Sequence, residues 1–179
     1  MDILAHAVYG ATICSRTGLA GGIGGAPAAP RAFVRDWTVW AAAAFGVLPD
    51  MASIGVSFTH ALIRGDAPSF HGLPPYVFFL YHCTHSLVIA GLCVTLLWRC
   101  IRPLAVPALA WPVHIIMDSL SHGDGRWQTL PLYPLSNWHF HGLNWWQTPG
   151  LMLAYWGLLP VLWIGVYVWR RHSRRLHGS

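Results

Sequence analysis

The chain has 179 residues, of which 55% are hydrophobic and only 9% charged, with a formal net charge of +5. A soluble domain carries roughly 25% charged residues, so the composition excludes an ordinary water-soluble globule and predicts a polytopic membrane protein with a single domain over residues 1–179. Every basic residue other than histidine is arginine and most lie at the ends of apolar segments, so the positive charge is not a nucleic-acid footprint.

In chain order, the first helical segment runs from about Ile3 to Ser15 and contains His6. The residues before it lack a basic n-region and a small-residue cleavage site, so no cleaved signal peptide is expected. Residues Gly18 to Pro30 are rich in Gly, Ala and Pro and read as a flexible connection. A second helix begins near Asp36 or Trp37 and crosses an Ala-rich stretch to Leu48, where Pro49-Asp50 is expected to end or kink it. Thr59 to Pro74 reads as a polar loop. Pro75 to Trp98 is the clearest membrane span, at 24 residues. A fourth helix, Leu104 to about Ser121, is interrupted by Pro107 and Pro112, and a Trp-, Pro- and Gly-rich loop covers Gly123 to Gln147. Pro149 to Trp169 is a second clear span, followed by a basic tail. The fold class is therefore all-α, a membrane bundle of about five helices, four or five of them transmembrane, with a Trp-rich outer loop. The four cysteines, Cys14, Cys83, Cys93 and Cys100, match no paired metal motif and read as packing thiols.

Arginine placement sets the orientation. With alternating segments, Arg16, Arg31, Arg35, Arg99, Arg102, Arg170, Arg171, Arg174 and Arg175 share one face, and only Arg64 and Arg126 fall on the other. The crowded face is expected to be cytoplasmic. The chain then reads as a multi-pass inner-membrane protein with its C-terminus inside and the Trp-rich loop outside.

The most informative run is His114-Ile-Ile-Met-Asp118-Ser-Leu-Ser-His122. Steps of four put all three ionisable side chains on one helix face. Ionisable groups in an apolar segment are costly and usually functional, and imidazole and carboxylate are natural zinc ligands. In the arginine-derived topology, Asp2, His6, Asp50, His82, His85, His114, Asp118 and His122 all fall in the outer half of the bundle, so four segments offer ligands at similar depth. Plainer readings stand beside these. His6 could pair with Asp2 at a helix start, and Asp50 could cap a helical turn. His82 reads more readily as a core histidine than as a ligand. His85, between Thr84 and Ser86, reads as a ligand. His139 and His141 could share a face of an extended strand or be ordinary surface residues, while His60, His71, His172 and His177 look like surface residues. The tryptophans suit an interfacial belt, with Trp145-Trp146 alternatively lining an entrance for an acyl chain.

His6, Leu48-Pro49-Asp50, Thr84-His85-Ser86-Leu87 and His114-x-x-x-Asp118, in that order, resemble the LexA-regulated inner-membrane metal-dependent hydrolase family. The resemblance covers most of the chain and implies a membrane-bound, metal-dependent hydrolase. A remoter similarity is to zinc-dependent phospholipase C and P1-type nucleases. Their ligand order looks like His6, Asp50, His85, His114, Asp118, His122 and then His139 or His141 here, with the aspartate of His-x-x-x-Asp bridging a zinc cluster. Those enzymes also use a closing glutamate, and this chain has none.

The functional expectation is a zinc site, or one for another divalent metal, with roughly one to three ions. Its ligands would come from His6, Asp50, His85, His114, Asp118 and His122. Asp118 would bind or bridge metal, and Asp50 or Asp2 would be the general base. The expected substrate is a lipid or other amphipathic ester or amide, with a tilt toward phosphoester. Two other classes stay open: a metal-binding or metal-transport membrane protein, and a haem protein with His85 and His114 as axial ligands.

Overall fold

Asp2 starts the first helix. Its carboxylate accepts the Ala5 amide at 2.9 Å and caps α1, Ile3–Cys14. This computed structural model describes residues 1–23 and 33–177, and only the backbone of 22–23 and 173–177. Part of the predicted flexible connection is helical, a short turn at Ala20–Ile23, and residues 24–30 lie outside the described residues. Asp36 then joins two helices. It accepts the Thr38 amide at 3.0 Å as the cap of α2 and takes the Thr17 hydroxyl, just past α1, at 2.6 Å.

The helix α2 runs over Trp37–Ile63, 27 residues, and does not end at Pro49. Proline lacks the N–H of the regular ladder, and here the helix widens instead of stopping, into a π turn at Met51–Gly55. Ser53 Oγ donates to the freed Pro49 carbonyl at 2.8 Å. The predicted polar loop therefore begins later, after Ile63, where Gly65 takes a positive φ of 79°.

The predicted third span is the largest departure. It is two helices, α3 (Pro75–Thr84) and α4 (Leu87–Cys100), bent by 57°. Ser86 leaves the helical region at φ −102°, ψ 124°, accepts the Ile89 amide as a new N-cap, and donates to the Tyr133 carbonyl. The Leu87 amide goes to Pro131 O at 2.8 Å. The Trp-rich loop thus supplies partners for the polar groups at the break. Next come α5 (Arg102–Ala108) and α6 (Ala110–Ser121), which together form one 20-residue run interrupted at Leu109. The last helix, α7, spans Pro149–His177.

Three runs are long and apolar enough to cross a membrane: Trp37–Ile63, Arg102–Ser121 and Pro149–His172. The bent α3–α4 pair would make a fourth, and α1, with 12 residues, is shorter than a span. No strand occurs among the described residues. The surface is apolar and the centre polar: Leu92, Leu96, Leu153, Val161 and Ile164 are exposed, while His6, His85, His114 and Asp118 are buried. That inversion suits a lipid solvent around a functional interior.

Small residues let α1 and α2 approach closely. A Cβ on Gly10 would lie 2.7 Å from Ala42 O, and one on Gly46 would lie 2.6 Å from His6 O. The helices α1 and α7 run in the same direction: Tyr155 and Trp156 reach Asp2 at one end, and Arg170 reaches the Arg16 and Gly18 carbonyls at the other. The Met1 nitrogen meets Asp118 and Ser121, so α6 runs opposite to α1. These directions match the alternation inferred from the arginines.

Candidate metal centre

Four side chains from three segments converge. His114 and Asp118 come from successive turns of α6, His85 from the α3–α4 break, and Asp50 from α2 just before the π turn. Each offers one ligand atom, and these atoms all lie within 4.8 Å of one another. His114 Nε2 is 3.1 Å from His85 Nε2 and 3.2 Å from Asp118 Oδ2. His85 Nε2 is 3.4 Å from Asp118 Oδ2 and 3.5 Å from Asp50 Oδ1. The break in the third span has a direct consequence for the site: it turns His85 inward, with no exposure left.

Hydrogen bonds behind the rings assign the tautomers. His85 Nδ1 donates to Tyr81 O at 3.0 Å, and His114 Nδ1 donates to Gly46 O at 2.6 Å. Each neutral imidazole has one N–H, so both Nε2 atoms point lone pairs at the same place. Two carboxylates stand beside them. With both rings neutral, acceptors converge without a donor and repel; a cation, either a proton on one Nε2 or a metal ion, removes the conflict. The observed Nε2–Nε2 distance of 3.1 Å is close to the roughly 3.3 Å separating two ligands of a tetrahedral zinc with bonds of about 2.0 Å. The donor set fits a divalent metal.

The other oxygen of Asp118 faces a second group. Oδ1 lies 2.5 Å from the Met1 nitrogen, 2.9 Å from His6 Nε2 and 3.4 Å from His122 Nδ1. The His6 ring stacks on His114 with centroids 3.6 Å apart. Neither His6 ring nitrogen makes a regular hydrogen bond, although Nε2 stands 2.9 Å from Asp118 Oδ1. An unsatisfied buried polar group costs about 1–3 kcal/mol, so an orphaned imidazole beside a carboxylate is a second sign of a cation position. Asp118 thus sits between two donor groups: Asp50, His85 and His114 on one side, His6 and His122 on the other.

Asp2 does not join them. Its carboxylate caps α1 and accepts Tyr155 Oη at 2.6 Å and Trp156 Nε1 at 3.0 Å. This corrects the expectation of Asp2 as a general base, since its oxygens are engaged in holding α7 to the start of α1. The suggested Asp2–His6 pair is also replaced, by His6 with Asp118. His82 packs beside Tyr81 and Tyr133 and stays outside the cluster. His139 and His141, last in the remoter ligand order, also stay outside it and instead meet Asp124, which no sequence pattern singled out. Hydrogen bonds from His141 and His139 hold the Asp124 carboxyl below its usual range. Trp146 lies 5.6 Å from the His122 ring, and Trp145 packs on the Met1–Tyr155 cluster.

Sequence reasoning also missed two supporting groups. Tyr81 stacks on His85 at 3.8 Å besides accepting its Nδ1–H, and Gly46 accepts His114. The Gly46 signal was present in the small-residue run Ala41-Ala42-Ala43-Ala44-Phe45-Gly46. Ser86 before an apolar run was the readable mark of the helix restart. Comparison with protein-family models, with curated proteins and with solved structures finds no match in any of the three.

Proposed function

We propose that this protein is a membrane-embedded, zinc-dependent hydrolase that acts from the outer face on a lipid-like ester, a phosphoester foremost. The observation that carries the reading is the meeting of one ligand atom each from Asp50, His85, His114 and Asp118 within 4.8 Å of one another. His85, His114 and Asp118 would hold the metal and leave a fourth position to water beside Asp50, with His6 and His122 on the far oxygen of Asp118 for a second ion. Such a metal, when bound, supplies Lewis acidity toward a carbonyl or phosphoryl oxygen and acidifies water. Asp50 keeps 16% side-chain exposure where Asp118 keeps 1%. It is therefore the carboxylate with room to take a proton from water, the general base of the proposal. Tyr81 O and Gly46 O hold the two imidazoles in register.

The outer face is assigned by arginine placement. An amphipathic groove on that side, lined by Leu73, Pro75, Phe78, His82 and Arg126, supports a substrate with an apolar body and an anionic head. The resemblance to the LexA-regulated hydrolase family points the same way. Transport is disfavoured by Cys14, Ala42 and Ala110, with Ile13, Phe45 and Val113, which pack as an apolar plug one to two turns beyond His6 and His114 toward the arginine-rich end. A haem site is disfavoured because His85 and His114 meet at 3.1 Å beside two aspartates rather than across an apolar cleft.

The test uses detergent-purified protein, stripped and reloaded with Zn²⁺, against phosphodiester, carboxylic ester and amide lipids separately. Asp118→Ala is expected to lose metal and at least 100-fold in kcat/KM, about 2.7 kcal/mol of transition-state stabilisation. Zinc-dependent cleavage that persists unchanged in Asp118→Ala overturns the mechanism, and zinc flux into proteoliposomes without cleavage of any lipid turns the assignment to transport.

A further inference from the structure

We propose a second, solvent-facing divalent-metal site, separate from the buried centre, formed by Asp124, His139 and His141. His139 Nε2 and His141 Nδ1 converge on one oxygen, Asp124 Oδ1, at 2.9 and 2.7 Å. One ligand atom from each of the three lies within 4.8 Å of the others.

Local structure explains the convergence. Asp124 follows the end of α6 by three residues, ahead of Gly125, whose φ of 136° favours glycine and turns the chain. His139 and His141 lie two apart in a segment without regular secondary structure, and both rings reach Asp124 with their centroids 4.9 Å apart. The histidine segment is fastened to the same helix end. Leu143 N donates to Leu120 O at 3.0 Å, Trp145 N to Ser121 O at 3.1 Å, and Gly123 N to Asn144 Oδ1 at 2.8 Å. Gly142 lets the backbones touch, since a Cβ there would meet Leu120 O and His122 O at 2.6 Å. Carboxylate and imidazoles are thus held on one rigid platform, which is what ligand preorganisation requires.

Stability gives no reason for this arrangement. Asp124 and His141 are 64% and 76% exposed at the side chain, and ion pairs so exposed contribute little to stability. A nitrogen–nitrogen–oxygen set with its open side in water is the donor set of an exchangeable Zn²⁺, Cu²⁺ or Ni²⁺. Open to water on one side, it binds more weakly than the buried centre and clips the Trp145–Trp146 segment to the end of α6.

The test is isothermal titration of untagged, metal-stripped, full-length protein in detergent with Zn²⁺ alone, and in parallel with Co²⁺ read by visible absorption. Wild type is expected to show a weaker class of site that His139→Ala/His141→Ala and Asp124→Asn each remove. Loss of a group behind a ligand costs roughly 10–100-fold in affinity, so loss of a ligand should weaken this class at least about 100-fold. Asp118→Ala should keep the class, which separates this proposal from failure of the buried centre. Zinc and cobalt isotherms of the double variant that match wild type overturn the proposal, as does disappearance of the weaker class in Asp118→Ala with its retention in the double variant.

Discussion

Gly46→Ala is expected to disable the buried centre without touching a ligand. The new Cβ would stand 2.6 Å from His6 O and 3.3 Å from His6 C. An ordinary contact begins at 3.4 Å, so α1 must withdraw by about 0.8 Å, against a tolerance of about 0.2 Å in metal–ligand distances. The same residue supplies the carbonyl that holds His114 Nδ1 at 2.6 Å. Overpacking costs about 1–3 kcal/mol, while replacing a helical glycine by alanine returns about 1 kcal/mol. The net stability loss is then about 0–2 kcal/mol and the fold survives. Metal binding is the sharper readout, and Zn²⁺ affinity should fall at least about 10-fold, as when the group behind a ligand is lost. Gly91→Ala is the control, because nothing lies within 4 Å of its Cβ position. Thermal unfolding and Zn²⁺ titration of both variants in detergent decide the matter. A Gly46→Ala protein that binds zinc with wild-type stoichiometry and affinity would refute the close-contact reasoning.

Asp2→Asn should retain zinc and turnover within about 10-fold but lose about 1 kcal/mol as the hydrogen bonds from Tyr155 and Trp156 lose their charged acceptor, measured by thermal unfolding. Burial pushes the Asp2 carboxyl up, but hydrogen bonds from Tyr155, Ala5 and Trp156 outweigh it and hold it below its ordinary 3.8. Stabilisation by a depressed carboxylate is complete above that ordinary value and is lost as pH falls through the folded pKa. The wild type should therefore lose stability at acid pH with a slope that Asp2→Asn reduces, and identical acid profiles would contradict the assignment. Chelation should lower the midpoint of thermal unfolding and added Zn²⁺ should restore it, by about 2.7 kcal/mol at one hundred times Kd; a midpoint indifferent to zinc would count against the buried centre. Reporters fused after Ser179 should be active in the cytoplasm and those inserted near Ser136 outside it. Finding both on one side would sink the orientation.

Local periodicity made part of this molecule legible from residues alone. His114 and Asp118 share a face because a helix repeats every 3.6 residues, while His122, in extended backbone just past the end of α6, still reaches Asp118, and the apolar runs of α2, α6 and α7 announce helices because a lipid solvent tolerates little else. His85 was legible as chemistry but not as geometry. Its inward turn depends on Ser86 and Leu87 finding Tyr133 and Pro131 in the Trp-rich loop, more than forty residues away. Pro49 looked like a stop, yet the helix passes it through a π turn, with Ser53 and Thr84 taking its carbonyl. Asp2 looked catalytic, but Tyr155 and Trp156, 153 and 154 residues on, occupy its oxygens. Asp124 carried no signal, because a single exposed aspartate gains meaning only when a folded loop lays two histidines against it. Residue type and helical phase are local properties and can be read along the chain; which carboxylate meets which imidazole follows from distant segments packing together, and only the folded chain decides that.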